Sequence, residues 1–339
     1  MAWLKSLTQR RIFWPLVALA VLMCFNLFFT PHFFRVEVKE GHLYGNVIDI
    51  IKNAAPFMLL ALGLTLVIAT KGIDISVGSI VAISAGVSAM LLGGDLGGVP
   101  KNPIAFAMII AVLVSVLAGM WNGMLVSRIG MQPIIATLIL SVAGRGIAMV
   151  ATNAMIVWLY IKPFAIWGQG YIFGLPVSIF VVAGMFILTA LATRRTALGL
   201  FIEAVGINPT AARFAGINAK NILFWVYAFS GLCAGISGLI VCSTVMSADG
   251  NNAGLGYELS AILAVVLGGT SLNGGKFYLM GSMVGALIVQ TLTTTIYAFN
   301  VPPEIAKVVI ALVVLIVSLL QSFNFRSMVA GLFGKKVVA

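Results

Sequence analysis

A chain of 339 residues that is 61% hydrophobic and 9% charged, with mean hydropathy +1.12, excludes an ordinary soluble domain. Such domains are about half apolar and about a quarter charged, and this chain has too few charges to solvate a surface around its own cores. The net charge of +11 sits in clusters between apolar runs, which assigns it to membrane topology and sets nucleic acid aside as a partner.

Apolar runs of about 17–25 residues mark about ten membrane segments. In chain order they are 12–30, 54–70, 77–93, 104–126, 134–157, 176–193, 222–242, 259–273, 277–299 and 304–322. The expected fold is all-α, a polytopic bundle. The first segment follows Lys5, Arg10 and Arg11, as a signal peptide would. Its apolar run is too long for a signal core and no small-residue cleavage site follows, so it reads as a retained anchor. His32 and His42 lie together in the next loop, and Cys24, Cys233 and Cys242 lie in apolar runs without paired spacing. Neither a metal site nor a disulfide framework is expected.

Two segments are interrupted. LTLVIAT runs into KGIDISVGS at 71–79, which carries Gly72, Asp74, Ser76 and Gly78. AILAVVL runs into GGTSLNGGKF at 268–277, which carries Ser271, Asn273, Gly274 and Gly275. Both breaks hold a lysine, Lys71 and Lys276, and they fall in different halves of the chain. Paired interruptions of this kind point to an internal repeat, as in transporters. Asp74 has two readings: an ion or substrate contact, or, with Ser76, a cap on the helix that follows, its charge balanced by Lys71. Asp-x-Ser before an apolar helix is capping chemistry. The second break looks like a phosphate loop, but Thr270 and Phe277 stand where Gly and Ser/Thr are required. No nucleotide-binding site is expected in this chain.

Arg145 falls inside the fifth segment, between Gly144 and Gly146. A cation there costs about 3 kcal/mol on insertion scales, so it should face protein or a water-filled cavity. Lining a pathway and tying two helices are equally open to it. Other polar residues in or beside apolar segments are Asn122, Gln132, Thr137, Ser141, Asn153 and the Thr291, Thr293, Thr294 and Thr295 cluster. They are candidates for a solute path, although such residues also simply join helices.

With the N-terminus inside and alternating segments, thirteen basic residues fall inside: Lys5, Arg10, Arg11, Lys71, Arg128, Arg194, Arg195, Arg213, Lys220, Lys276, Arg326, Lys335 and Lys336. Five fall outside, namely Arg35, Lys39, Lys52, Lys101 and Lys162, and Arg145 and Lys307 lie within segments. That bias places both termini in the cytoplasm. No loop is long enough for a further domain, so 1–339 reads as one membrane domain carrying a cytoplasmic loop at 194–221.

That loop contains RRTALGLFIEAVGINPTAARFAGIN. Leu198 to Val205 can form a helix with Glu203 as its only acid, and Gly199 and Gly206 are expected to provide bends. Asn208 is a good N-cap, Pro209 suits the first helical position and Gly216 suits the end. A basic helix here could lie on the lipid surface or project into a soluble partner; caps at both ends favour the projecting element.

The stretch TALGLFIEAVGINPTAARFAGIN resembles the cytoplasmic coupling loop of ribose/xylose/arabinose-type ABC importer permeases. GIDISVGS at 72–79, QPIIATL at 132–138, GRG at 144–146 and LGGTSLNGG at 267–275 resemble that family's motifs in the same order, over about residues 50–322. IEAVGIN, ADGNNAG at 248–254, GGKF at 274–277 and PPE at 302–304 are most similar to its galactofuranose-import branch. Phe277 departs from the ribose type, where Gly commonly follows the basic residue. The resemblance implies a permease of the bacterial inner membrane that pairs with a second permease, alike or related. It implies two cytoplasmic ATPases that bind the ATP and grip Glu203 to Gly216, and a periplasmic protein that delivers the sugar. An ion-coupled secondary transporter is the rival, but it should carry several intramembrane acids where only Asp74 qualifies. A membrane enzyme is disfavoured by the absence of paired-acid, GxSxG and HExxH motifs.

Overall fold

The computed structural model describes residues 12–30, 33–39, 41–93 and 99–299, with single positions between 302 and 315. Lys5, Arg10, Arg11, His32, Lys307, most of the 304–322 segment and Arg326, Lys335 and Lys336 lie outside the described residues. Helix α1 spans Phe13–Phe29, α2 Asn46–Ala69, α3 Val77–Leu92 and α4 Ile104–Met124. A π-turn at Leu125–Ile129 extends α4, and α5 follows at Pro133–Ala151. Beyond it come α6 Lys162–Gln169, α7 Val177–Arg195, α8 Leu198–Ile207, α9 Pro209–Phe214, α10 Ala219–Val245, α11 Tyr257–Leu267 and α12 Leu279–Ala298. Six of these are long and apolar enough to cross a membrane, and α1, α3, α8 and α11 are shorter apolar helices.

Three departures from the expected segments stand out, the first with a local cause. The helix expected over 134–157 stops at Ala151, because Asn153 and Ala154 take positive φ and Ile156–Trp158 pairs as a strand. The span expected over 259–273 is helical only from Tyr257 to Leu267. The described residues also include three short antiparallel pairs: β1 Glu37–Lys39 with β2 His42–Tyr44, β3 Ile156–Trp158 with β6 Ser247–Asp249, and β4 Tyr171–Ile172 with β5 Leu175–Pro176. The fold is therefore predominantly, not wholly, helical.

Helix α10 is the axis of the bundle and packs on α4, α2 and α3. Its approach to α4 is backbone to backbone. A methyl group added at Gly119 would lie 2.5 Å from the Tyr227 carbonyl oxygen, and one at Gly231 would lie 2.5 Å from that of Ser115. Small residues at four-residue spacing permit this contact where lipid supplies no hydrophobic drive between helices. Helix α2 is buried along most of its length. Side-chain hydrogen bonds tie it to α12 (Thr65 Oγ1 to Ser282 Oγ, 2.7 Å) and tie α12 to α1 (Asn26 Nδ2 to Thr295 Oγ1, 2.7 Å). Each such bond is worth on the order of 0.6 kcal/mol in a bilayer.

One end of the bundle gathers the breaks at 70–76 and 268–278, the α4–α5 turn with Arg128, and the α7–α10 connection. The other end carries the strand pairs and α6, which packs on α10 and α7.

Candidate functional site

At the first end, the α7–α10 connection is seated on both breaks at once. A helix leaves its last carbonyls without intrahelical partners. At the end of α2 the amides of Thr70, Lys71 and Gly72 turn back onto Leu66, Val67 and Ile68. The Ala69 carbonyl instead accepts the Gly275 amide at 2.8 Å, so the second break caps the first. Gly206, near the end of α8, lies directly over this bond. A methyl group there would stand 1.9 Å from the Ala69 oxygen and 2.7 Å from the Gly275 nitrogen. Lys71 then donates its Nζ to the Ile207 carbonyl at 2.9 Å, a cation at a helix C-terminus. Gly199 and Gly206 therefore sit within α8 and permit close contact, with Thr193 and Ala69 respectively, instead of bending the chain.

From this seat α9 projects. The Asn208 Oδ1 accepts the Thr210 and Ala211 amides at 3.0 and 3.1 Å, and Pro209 occupies the first turn. Gly216 takes φ +83° just past the end, and the Ile217 amide reaches back to the Ala212 carbonyl, which closes the helix in a Schellman-like turn. Ala212 is buried beneath, while Thr210, Ala211, Arg213 and Phe214 are exposed, Phe214 to 88%. Glu203 is half-buried on α8. A rigid knob with an uncovered phenyl ring and an arginine is a docking shape.

The first break is tied inward by a buried polar knot. Asp74 accepts the Ser76 amide (3.0 Å), the Ser76 hydroxyl (2.6 Å) and the Ser230 hydroxyl of α10 (2.8 Å). Asn122 of α4 donates to the Ser76 hydroxyl at 2.8 Å. Thr137 of α5 accepts the Ile75 amide and donates to backbone carbonyls of the break and of its own helix. Asp74 thus turns the chain into α3, and Lys71, expected to balance it, is committed to Ile207. At the second break the Ser271 hydroxyl accepts the Asn273 amide and Thr270 accepts that of Tyr278. Gly274 lies over Lys71, with Lys276 and Asn273 exposed.

A second polar group lies deeper in the bundle. Helix α11 has 11 residues, so it is about 16 Å long, half of a hydrocarbon core of about 30 Å. Its C-terminus leads into the break at the first end, which leaves its N-terminus and residues 250–256 at membrane depth. There, a methyl group at Gly78 would lie 2.1 Å from a Glu258 carboxylate oxygen and 2.6 Å from the Gly254 carbonyl. Irregular backbone is tolerated at such depth only where protein covers it or water fills a cavity. Arg145 answers the need from α5 by donating to the Ala253 carbonyl. Asp249 accepts the Asn251 and Asn252 amides (2.9 and 3.2 Å) and the Asn252 side chain (2.7 Å). The Asn252 side-chain bond, with the backbone amides and Arg145 adding to it against some desolvation, holds the Asp249 carboxyl below its ordinary value. Asn251 and Asn252 remain exposed, and Arg145 half so. Ser141 lies one turn before Arg145 on the same helix face.

The remaining path candidates are dispersed. Gln132 is exposed at the start of α5, and Asn153 is exposed in a left-handed conformation just beyond its end. Thr294 accepts from Gln290 of its own helix at 3.3 Å, on α12, which packs on α11, α2 and α1. Asp249, Asn251, Asn252 and Glu258 were not expected at the site. For the first three the signal was ADGNNAG, polar residues crowded between two apolar helices; Glu258, in the first turn of α11, lay outside it.

A family model described as "Branched-chain amino acid transport system / permease component" matches residues 46–318. The galactofuranose transporter permease of Escherichia coli K12 is 46% identical over 95% of this chain and 94% of its own length. The fructose import permease of Bifidobacterium longum is 37% identical over 98% of this chain and 94% of its own. The ribose import permease of Haemophilus influenzae is 33% identical over 94% of each chain. No solved structure matches the chain significantly.

Proposed function

The chain belongs to the family of permease components of the branched-chain amino acid transport type, and within it is the membrane permease of a sugar importer; from that premise we propose how its parts divide the work. Its relatives are permeases of ABC importers, so a cytoplasmic ATPase and a periplasmic sugar-binding protein are its partners, and it resides as a multi-pass protein in the inner membrane. The ATP is bound by the partner ATPase. A second permease, a like copy or a related chain, completes the pathway. Both termini face the cytoplasm, about ten segments cross, and the matched breaks in α2–α3 and α11–α12 are the trace of an internal repeat. Residues 1–339 form one membrane domain with the coupling loop at 194–221.

The sugar is a galactofuranose-like monosaccharide. In support, identity to the galactofuranose permease exceeds that to the fructose and ribose permeases, and Phe277 departs from the ribose pattern. Arg145, Ser141, Asn251 and Asn252 line the path at membrane depth, offering the amide, hydroxyl and guanidinium groups an uncharged sugar needs. Asn122, Thr137, Asp74 and Ser76 hold the helices that frame it. Gln132, Asn153 and Thr294 are outlying members of the lining.

The observation that carries the coupling role is the seat of α8: Gly206 on the Ala69–Gly275 bond, with Lys71 on Ile207. Glu203, Gly206, Asn208, Pro209, Arg213 and Gly216 build an element whose exposed tip can be pushed and whose base moves both interrupted helices. A cysteine at Thr210 should cross-link to the ATPase in membranes holding the assembled transporter, whereas one at Asn251 should not. Equal cross-linking from both positions would refute the assignment.

A further inference from the structure

Between α2, α7, α8 and α10, near the end that bears α9, lies a cavity of about 480 Å³. Its walls include Leu188, Ala192, Leu198, Ile202, Trp225 and Phe229. Two threonines also line it, but Thr189 donates its hydroxyl to the Met185 carbonyl (2.7 Å) and Thr193 donates to that of Thr189 (2.8 Å). Both are turned into the backbone of α7, and the cavity is walled almost wholly by carbon. A sugar would find no hydrogen-bond partner there, so the cavity is no part of the solute path.

The rim has the opposite character. Arg195 lies three residues beyond the wall residue Ala192, on the same face of α7, and Arg194 stands beside it at the helix end. Both are exposed, and among the described residues neither forms an ion pair. Trp225 lines the cavity and is 60% exposed, the placement of an aromatic ring at the headgroup level. A carbon-lined cleft between membrane helices, with two basic side chains where α7 ends, matches one ambient molecule in two separate respects.

We propose that this cleft binds an anionic phospholipid, in the inner leaflet on the orientation proposed above, with one acyl chain between α7 and α10 and its phosphate at Arg194 and Arg195. Leu198 and Ile202 of the wall belong to α8, the helix that ends on the Ala69–Gly275 bond. The acyl chain therefore packs against the coupling helix along the face that, one turn beyond Ile202, bears its seat.

The test uses the full chain purified from membranes and returned to nanodiscs of phosphatidylcholine with or without phosphatidylglycerol. Native mass spectrometry counts retained lipid, and thermal unfolding reports the stabilisation. The wild-type protein should retain phosphatidylglycerol over phosphatidylcholine and melt higher with it. Ala192→Phe, which fills the cleft, should abolish both effects while melting normally in phosphatidylcholine alone. Arg194→Gln with Arg195→Gln, both on the surface, should weaken retention by about thirtyfold, the loss of two basic contacts at an anionic headgroup. Equal retention of the two lipids by wild type, or unchanged phosphatidylglycerol retention in the arginine pair variant, would overturn the proposal. Neither readout requires transport, so the result stands apart from the assignment of the sugar path.

Discussion

The seat of α8 and the loop at 250–256 meet the same problem, backbone without regular structure inside a membrane protein, in opposite ways. At the seat, backbone meets backbone: Ala69 to Gly275, with Gly206 over their bond and no room for a methyl group. At the loop, side chains do the work. Arg145 supplies the Ala253 carbonyl, Asp249 gathers two amides, and Asn251 and Asn252 keep exposed polar groups. A contact made of main chain transmits displacement with little slack, as a coupling element must. A lining of adaptable polar side chains can hold a solute weakly and let it go. On the proposed function, the difference separates a transmission part from a contact surface.

The sharpest way to break this comparison is at the tip of the knob. Deleting 208–216, or replacing Arg213 with Glu, should reduce ATP-driven sugar uptake to background in membrane vesicles while the amount of inserted protein stays unchanged. Uptake at the wild-type level would remove the knob from the mechanism. Next comes the seat itself. Gly206→Val forces a side chain onto the Ala69 oxygen and the Gly275 amide, an overpacking that costs about 1–3 kcal/mol. It should lower the thermal midpoint and uncouple ATP hydrolysis from uptake in the assembled transporter. A change in stability with coupling intact would make the seat a packing feature only. The smallest effects belong to the polar loop. Asn252→Ala, removing one neutral hydrogen bond worth about 1 kcal/mol, should raise the KM for uptake about fivefold with little change in maximal rate. An unaltered KM would take Asn252 off the path.

Much of the seat could be read in the chain before any coordinates. LTLVIAT runs straight into Lys-Gly-Ile-Asp, and Asn208-Pro209 with Gly216 marks a capped helix by side-chain chemistry that acts within four residues. Local signals of this kind survive in any fold. The partner of Lys71 was not legible, because Ile207 is 136 residues away and two cation-stabilising arrangements, Asp74 or a helix end, fit the same sequence. The end of α11 was legible in part: the break was read at Gly268, one residue past its last, although the expected span was carried across it to 273. The polar loop fell between two expected segments, with nothing local to mark its depth. Its descent beside Gly78 and Ala148 is a consequence of long-range packing, with Glu258 and Gly254 close against Gly78, which has no side chain to exclude them. Arg145 was visible as a cation needing a partner, but the partner is a carbonyl, which every residue possesses and no pattern marks.

The account rests on a gate that opens only when an ATPase moves its knob. The direct test is radiolabelled sugar accumulation in sealed proteoliposomes containing the permease alone, or the permease with its ATPase and binding protein and internal ATP. The account predicts concentration against a gradient in the complete system and none with the permease alone, with or without an ion gradient. Accumulation by the isolated chain would contradict it.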